Sequence, residues 1–235
     1  MGTIEPAIPS HLSFVTIEGV IGVGKTTLCE LLAEAWNGRL ILEQVEDNPF
    51  LPRFYEDRKS YAFQTQLWFL LSRYRQLSEA VAQQDLFHRM TISDYMFAKD
   101  RIFANLNLDD DELQLYNHVA GILETSVPRA DVVVYLQASP GVLLRRIAKR
   151  GRSYEFNMDQ SYIEVLNEAY NHFFFHYDQS PLLVINTDDV DFVKNANDLG
   201  EIVDQILKVR TGITYYQPLG SKNRAALKER RPTAQ

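Results

Sequence analysis

The sequence predicts an α/β fold with a five-stranded parallel sheet flanked by helices. Five short apolar runs alternate with longer segments of helical pattern, which is the order found in proteins with a parallel sheet. The run at 131–136 is rich in β-branched residues, as a strand buried on both faces should be. A glycine-rich loop at 19–26 joins the first run to the first helical segment.

The elements follow one another along the chain. Strands are predicted at 12–17, 39–43, 89–93, 131–136 and 182–186. Helices are predicted at 25–36 (amphipathic), 60–84 (long and aromatic), 111–126, 140–150 (ended by Gly151), 159–177 and 190–209. We expect one domain over 1–210 and a flexible tail over 211–235, where glycine, proline and basic residues concentrate. A short helix at 222–230 that packs on a partner is the alternative for the tail.

Composition restricts the function. The net charge of −7 argues against broad binding to nucleic acid or to anionic membranes, so any positive charge for phosphates must be local. The one cysteine, Cys29, excludes an internal disulfide and a cysteine metal cluster, and it fits a reducing cytosol. No apolar run approaches 18 residues. We therefore expect a cytoplasmic protein.

The glycine-rich loop matches the P-loop pattern G-x-x-x-x-G-K-[ST] at every fixed position. Its glycines let several backbone N–H groups point at one phosphate, and the following helix start adds partial positive charge. Lys25 is expected to reach the β- and γ-phosphates, and the Thr26 hydroxyl is expected to bind Mg²⁺. The residues predicted to hold a nucleoside triphosphate are Gly19, Gly22, Val23, Gly24, Lys25, Thr26 and Thr27.

Two acidic residues follow predicted strands, where ligands bind in such sheets. Glu43 ends the second strand and is a candidate general base, with a structural role as the alternative. Asp94 ends the third strand and is a candidate partner of Mg²⁺. Together with the P-loop they predict a cleft for phosphoryl transfer.

Cations and amides complete the predicted cleft. Arg146 and Arg150 are four residues apart on one helix face, and Arg152 follows Gly151. They predict a phosphate-clamping lid at about 146–156, against the alternative of a solvated basic face. Gln66 and Arg73 share one face of helix 60–84, so they are expected to meet a ligand rich in hydrogen bonds or to form a structural polar pair.

Five sequence blocks, at 17–28, 46–57, 66–73, 93–104 and 150–155, resemble the deoxyribonucleoside kinases, especially the bacterial deoxyadenosine/deoxyguanosine kinase branch. The resemblance covers about 12–209. It implies a P-loop kinase fold, a homodimer through helices 60–84 and 111–126, and ATP and Mg²⁺ as donor and cofactor.

The resemblance also implies residue roles. Glu43 takes the proton of the nucleoside 5′-hydroxyl, with Arg73 nearby. Gln66 and Asp100 bind the nucleobase, and Tyr55 and Glu155 hold the sugar 3′-hydroxyl. Arg146, Arg150 and Arg152 form the lid, and Asp94 lies near Mg²⁺. Where animal members carry an arginine this chain has Tyr95, so Arg73 or a lid arginine is expected to supply that charge.

The predicted activity is ATP-dependent phosphorylation of a deoxynucleoside 5′-hydroxyl, a step of nucleotide salvage. A purine deoxynucleoside is favoured, since Asp100 can accept a hydrogen bond from an exocyclic amine, and deoxycytidine is the second choice. The alternatives are a nucleoside monophosphate kinase, whose second phosphate Glu43 would repel, and a non-catalytic P-loop regulator.

Overall fold

A computed structural model describes residues 8–82, 88–152 and 159–218. Its centre is one sheet of six parallel strands in the order β2-β3-β1-β4-β5-β6. The strands are β1 (Phe14–Gly19), β2 (Arg39–Ile41), β3 (Thr91–Ser93), β4 (Val132–Gln137), β5 (Leu182–Asn186) and β6 (Ile213–Tyr216). The α/β class and the parallel sheet are confirmed.

Eight helices surround the sheet in the described parts of the chain. They are α1 (Lys25–Trp36), α2 (Leu51–Glu56), α3 (Arg58–Ala82), α4 (Lys99–Asn107), α5 (Asp110–Glu124), α6 (Pro140–Arg150), α7 (Gln160–Phe175) and α8 (Ala196–Lys208). Among these residues no helix is both long and apolar enough to cross a membrane.

The predicted number of five strands was wrong. The sixth strand, β6, lies inside the segment predicted to be tail, so the sheet extends beyond residue 210. Its residues alternate between exposed and half-buried, and it pairs only with β5 at the edge of the sheet. Such a short, half-exposed edge strand lacks the continuous apolar run by which buried parallel strands are recognised. Residues 219–235 of the predicted tail lie outside the described residues.

Helices α2 and α4 were also absent from the sequence prediction. The six residues of α2 include Pro52 in the first turn, and nine residues is short for a helix recognised by its apolar period. The buried face of α4 carries Lys99 and Asp100 beside Ile102 and Ala104. Two charged residues at its start thus face the protein interior, opposite to the usual pattern of an amphipathic helix.

The largest apolar cluster lies on the sheet and includes every residue of β4 except Gln137. A second cluster joins α3, α4 and α5 through Leu70, Leu77, Ala104, Tyr116 and Ala120. The two clusters hold the helices at fixed positions around the carboxyl ends of β1, β2 and β3. Ligand sites of parallel α/β sheets lie at such ends.

Candidate active site

A cavity of about 1050 Å³, open to solvent, lies between the P-loop and α3. This volume is at the upper end of the range for small-molecule sites. The predicted residues that line it are Gly22, Lys25, Thr26, Glu43, Tyr55, Gln66, Arg73, Asp94, Arg150 and Arg152. The fold therefore brings residues from widely separated parts of the chain to one site.

The P-loop backbone requires its glycines. Gly22 and Gly24 have φ angles of +85° and +106°, in the region that side chains disfavour. A Cβ added to Gly22 would lie 2.7 Å from Cγ1 of Ile147. The Lys25 ammonium lies across the loop and donates a hydrogen bond of 2.7 Å to the carbonyl oxygen of Gly19.

Lys25 is half-buried, and desolvation of its ammonium group lowers its pKa to about 8. The charge of Lys99 lowers this pKa further, whereas the carboxylates of Glu18, Glu43 and Asp94 oppose the shift. A phosphate group next to Lys25 would favour the charged form of the lysine, because opposite charges stabilise each other.

Asp94 connects three parts of the site. Its Oδ2 accepts a hydrogen bond of 2.6 Å from the Thr26 hydroxyl, and its Oδ1 accepts one of 2.8 Å from the backbone N–H of Glu43. One carboxylate thereby ties the start of α1 to the segment after β2. A hydroxyl and a carboxylate side by side are hard oxygen ligands of the type that Mg²⁺ prefers.

Glu43 lies two residues beyond the end of β2, in a buried cluster of charges. Its Oε1 accepts a hydrogen bond of 2.9 Å from Nε of Arg73 and a second from Nη2, and its Oε2 accepts one of 2.7 Å from Nζ of Lys99. Nη1 of Arg73 pairs with Asp100, which is 1% exposed and lies behind Arg73 rather than on the cavity wall.

Burial by itself would raise the pKa of Glu43. The charges of Arg73 and Lys99, and the hydrogen bonds from both, outweigh burial and hold this pKa far below its usual range. Glu43 is therefore an anion at neutral pH, with two cations in contact. Lys99 has no assigned role in the sequence analysis, although it belongs to the same cluster.

Glu18 is a second buried carboxylate that the sequence analysis did not single out. Its Oε2 accepts a hydrogen bond of 3.1 Å from N–H of Gly19, and its Oε1 accepts one of 2.8 Å from N–H of Met96. Burial raises its pKa, while Lys99 and Lys25 oppose that rise. An acidic residue within the apolar strand β1 is the signal that could have identified it.

Polar side chains of α3 also line the cavity. Gln66 lies on the lining face of α3, and the hydroxyl of its neighbour Thr65 is buried without a hydrogen-bond partner among the described residues. Tyr55 of α2 and Phe69 of α3 add aromatic surface. Glu155, predicted to act with Tyr55, lies outside the described residues.

The predicted lid arginines differ in their positions. Arg150 and Arg152 line the cavity. Arg146 does not, because its Nη1 donates a hydrogen bond of 3.0 Å to the carbonyl oxygen of Val23 and its Nη2 donates one of 2.8 Å to that of Thr187. Arg146 therefore ties the P-loop to the segment after β5, and its predicted contact with phosphates stays a prediction.

Comparison with known proteins identifies the family of the chain. The family model for deoxynucleoside kinases matches residues 15–210. The chain belongs to the deoxynucleoside kinase family. This kinase is 34% identical over 197 residues to the deoxyguanosine kinase of Bacillus subtilis strain 168, an alignment that covers 82% of this chain and 95% of that protein.

Two further proteins extend the comparison. The deoxyadenosine/deoxycytidine kinase of the same B. subtilis strain is 30% identical over 213 residues, covering 87% of the kinase and 96% of that relative. A solved structure of deoxyadenosine kinase from M. mycoides, with the products dCMP and a flexible dCDP bound, has a TM-score of 0.72 and 27% identity. It covers 82% of this chain and 97% of that one.

Family membership confirms the predicted enzyme class. The kinase phosphorylates deoxynucleosides and uses a nucleotide as phosphate donor. This result decides against both alternatives, the nucleoside monophosphate kinase and the non-catalytic regulator.

Proposed function

We propose that the kinase transfers the γ-phosphoryl group of ATP to the 5′-hydroxyl of a purine deoxynucleoside. The observation that carries the proposal is the position of Glu43, which lies in one cavity with the P-loop lysine and with Gln66. A nucleoside whose base lies at Gln66 presents its sugar toward Glu43, and the 5′-hydroxyl then faces the P-loop.

Glu43 accepts the proton of the 5′-hydroxyl as that oxygen attacks phosphorus in line. A carboxylate with a low pKa is a weak base. This weakness is tolerable, because the transition state of phosphoryl transfer is loose and forms little bond to the nucleophile before the old bond breaks. The proton moves late, when the 5′-oxygen has become acidic.

The donor phosphates bind to the P-loop backbone and to Lys25, and Arg150 and Arg152 close over them from the lid. Thr26 and Asp94 fit Mg²⁺, since their oxygens are 2.6 Å apart beside the P-loop. Bound Mg²⁺ neutralises negative charge on the phosphate oxygens. Closure of the lid excludes water, which competes with the nucleoside as acceptor.

Gln66 recognises the nucleobase through hydrogen bonds. Its side-chain amide offers one donor group and one acceptor, as the edge of a nucleobase does. Asp100 acts on the base through Arg73, which pairs with it and lines the cavity. Tyr55 and Glu155 hold the sugar. The purine preference is supported by the named substrates of the B. subtilis relatives, which also make deoxycytidine the second choice.

The test of the proposed function is a comparison of initial rates with Mg²⁺–ATP and each of the four deoxynucleosides, with adenosine as a ribose control. We expect kcat/KM for deoxyadenosine or deoxyguanosine to exceed that for thymidine by about 10-fold or more. Gln66→Ala should lower kcat/KM for the nucleoside, whereas Gln64→Ala, at an exposed position of α3, should not. Thymidine as the best substrate would contradict the purine assignment.

The low pKa of Lys25 predicts a loss of donor affinity at alkaline pH. In the free enzyme the ammonium loses its proton as the pH rises through about 8, so kcat/KM for ATP should fall above that value. Lys25→Arg should lack this alkaline limb, because arginine stays charged. Lys208→Arg, at an exposed position at the end of α8, is the control. If kcat/KM for ATP falls at alkaline pH in Lys25→Arg as it does in the wild type, the titrating group is not Lys25.

We also propose a cytoplasmic homodimer formed through α3 and α5. These helices carry exposed apolar side chains, with Leu71 47%, Leu115 54% and Ile122 62% accessible. Exposed apolar patches mark association surfaces. Sedimentation equilibrium should give twice the chain mass of 27.1 kDa. A mass of one chain at micromolar concentration would contradict the dimer.

A further inference from the structure

Arg73 cannot provide the positive charge that a phosphoryl group needs at the acceptor side. Its Nε and Nη2 donate to Glu43, and its Nη1 pairs with Asp100. The side chain is 4% exposed. A guanidinium held between two carboxylates is fixed in place. Moving it would leave the buried Asp100 without its ion-pair partner and Glu43 with Lys99 alone, at a high cost.

Lys99 differs from Arg73 in having donors to spare. Its ammonium carries three N–H donors, and one of them binds Oε2 of Glu43 at 2.7 Å. No second hydrogen-bond partner of Nζ occurs in the described ranges. The side chain lines the cavity on the same wall as Glu43.

Lys99 also lies within electrostatic range of the donor site. Besides burial, its charge is the main influence that lowers the pKa of Lys25, and it opposes the burial-driven rise in the pKa of Glu18. Both of those residues belong to the P-loop or the strand before it. The ammonium of Lys99 thus contacts the base, Glu43, and lines the same cavity as Lys25, the lysine proposed to bind the donor phosphates.

The geometry points to Lys99 as a catalytic residue that binds the transferring phosphoryl group from the acceptor side. This assignment rests on the proposed function. The ammonium keeps its contact with Glu43 and uses its remaining N–H donors for an equatorial oxygen of the phosphoryl group. The bond from phosphorus to the donor oxygen breaks as the bond to the 5′-oxygen forms. During this transfer the ammonium of Lys99 stabilises the negative charge on the phosphoryl group, and the hydroxyl proton passes to Glu43.

This role of Lys99 explains how the chain can have Tyr95, which carries no charge, where animal members of the family carry an arginine. Tyr95 is buried, and its hydroxyl donates a hydrogen bond of 2.9 Å to Oε1 of Gln76, away from the phosphate site. The sequence analysis expected Arg73 or a lid arginine to supply the charge. The contacts of Arg73 favour Lys99 instead.

The test compares Lys99→Met with Lys59→Met, an exposed lysine of α3. We expect kcat to fall by about 10²-fold in Lys99→Met, which is typical for loss of one group that stabilises transition-state charge. Affinity for ADP with aluminium fluoride and deoxyadenosine, a mimic of the transferring group, should fall by a similar factor. Affinity for deoxyadenosine alone should change by less than about threefold.

A chemical restoration separates charge from folding. Lys99→Cys treated with 2-bromoethylamine regains an ammonium at nearly the same place, and Cys29 should not react, because it is fully buried and burial raises the pKa of its thiol. Recovery of kcat in the alkylated protein supports the assignment. If wild type is active but Lys99→Met keeps kcat within about threefold, the assignment is wrong. If wild type phosphorylates no deoxynucleoside, the proposed function itself fails.

Discussion

Glu43→Gln should lower kcat by about 10²- to 10⁴-fold, the usual contribution of a positioned general base. Glutamine has nearly the same shape, but its amide cannot take the proton of the 5′-hydroxyl. The KM for the nucleoside should change little, because Gln66 and Tyr55, the residues proposed to bind the base and the sugar, are unaltered. Steady-state rates with deoxyadenosine, together with nucleoside binding measured by calorimetry, separate the two effects.

Glu124→Gln is the matched control for Glu43→Gln. It makes the same substitution in another carboxylate that pairs with an arginine, Arg101, but the pair is partly exposed and away from the site. We expect near-normal kcat in this variant. Turnover of Glu43→Gln close to that of the control would remove Glu43 from the role of base.

Arg73→Met should destabilise the protein by about 3–5 kcal/mol, because it leaves Glu43 and Asp100 as buried carboxylates without their shared cation. For a chain of this size the melting temperature should fall by about 6–20 °C. Activity should also be lost, since the orientation of Glu43 depends on two hydrogen bonds from Arg73. Thermal and urea unfolding of the variant measure the loss of stability.

Arg101→Met serves as the control for Arg73→Met, because Arg101 pairs with Glu124 at a side-chain exposure of 43%. Partly exposed pairs contribute about 0–1 kcal/mol. A melting temperature of Arg73→Met no lower than that of Arg101→Met would show that the buried charge cluster does not hold α3 to α4 and the segment after β2.

Much of the site follows from short-range pattern. The P-loop is defined by residues that are contiguous, and Gln66 and Arg73 share a helix face because they are seven residues apart. Glu43 and Asp94 follow strands of a parallel sheet, whose carboxyl ends meet at one edge. Gln66, Arg73, Glu43 and Asp94 line one cavity with Lys25 and Thr26, and the roles assigned to them stay predictions.

The remaining features depend on tertiary contacts that spacing does not encode. Lys99 is on a nine-residue helix, and its charged side chain points inward. It does so because it pairs with Glu43, which is 56 residues away in sequence. Arg146 is predicted to share a helix face with Arg150. Its guanidinium instead donates hydrogen bonds to the carbonyl groups of Val23 and Thr187, and it does not line the cavity. The strand β6 is stabilised by pairing with β5 rather than by its own apolar content.

The central claim is that the cavity beside Glu43 directs phosphate to the 5′-hydroxyl. Phosphorus and proton NMR of the product from deoxyadenosine and Mg²⁺–ATP tests it most directly, with 2′,5′-dideoxyadenosine as a control that lacks the acceptor. We expect deoxyadenosine 5′-monophosphate as the product, and a dideoxy control that inhibits without being phosphorylated. Phosphate on the 3′-oxygen, or phosphorylation of the dideoxy control, would contradict the account.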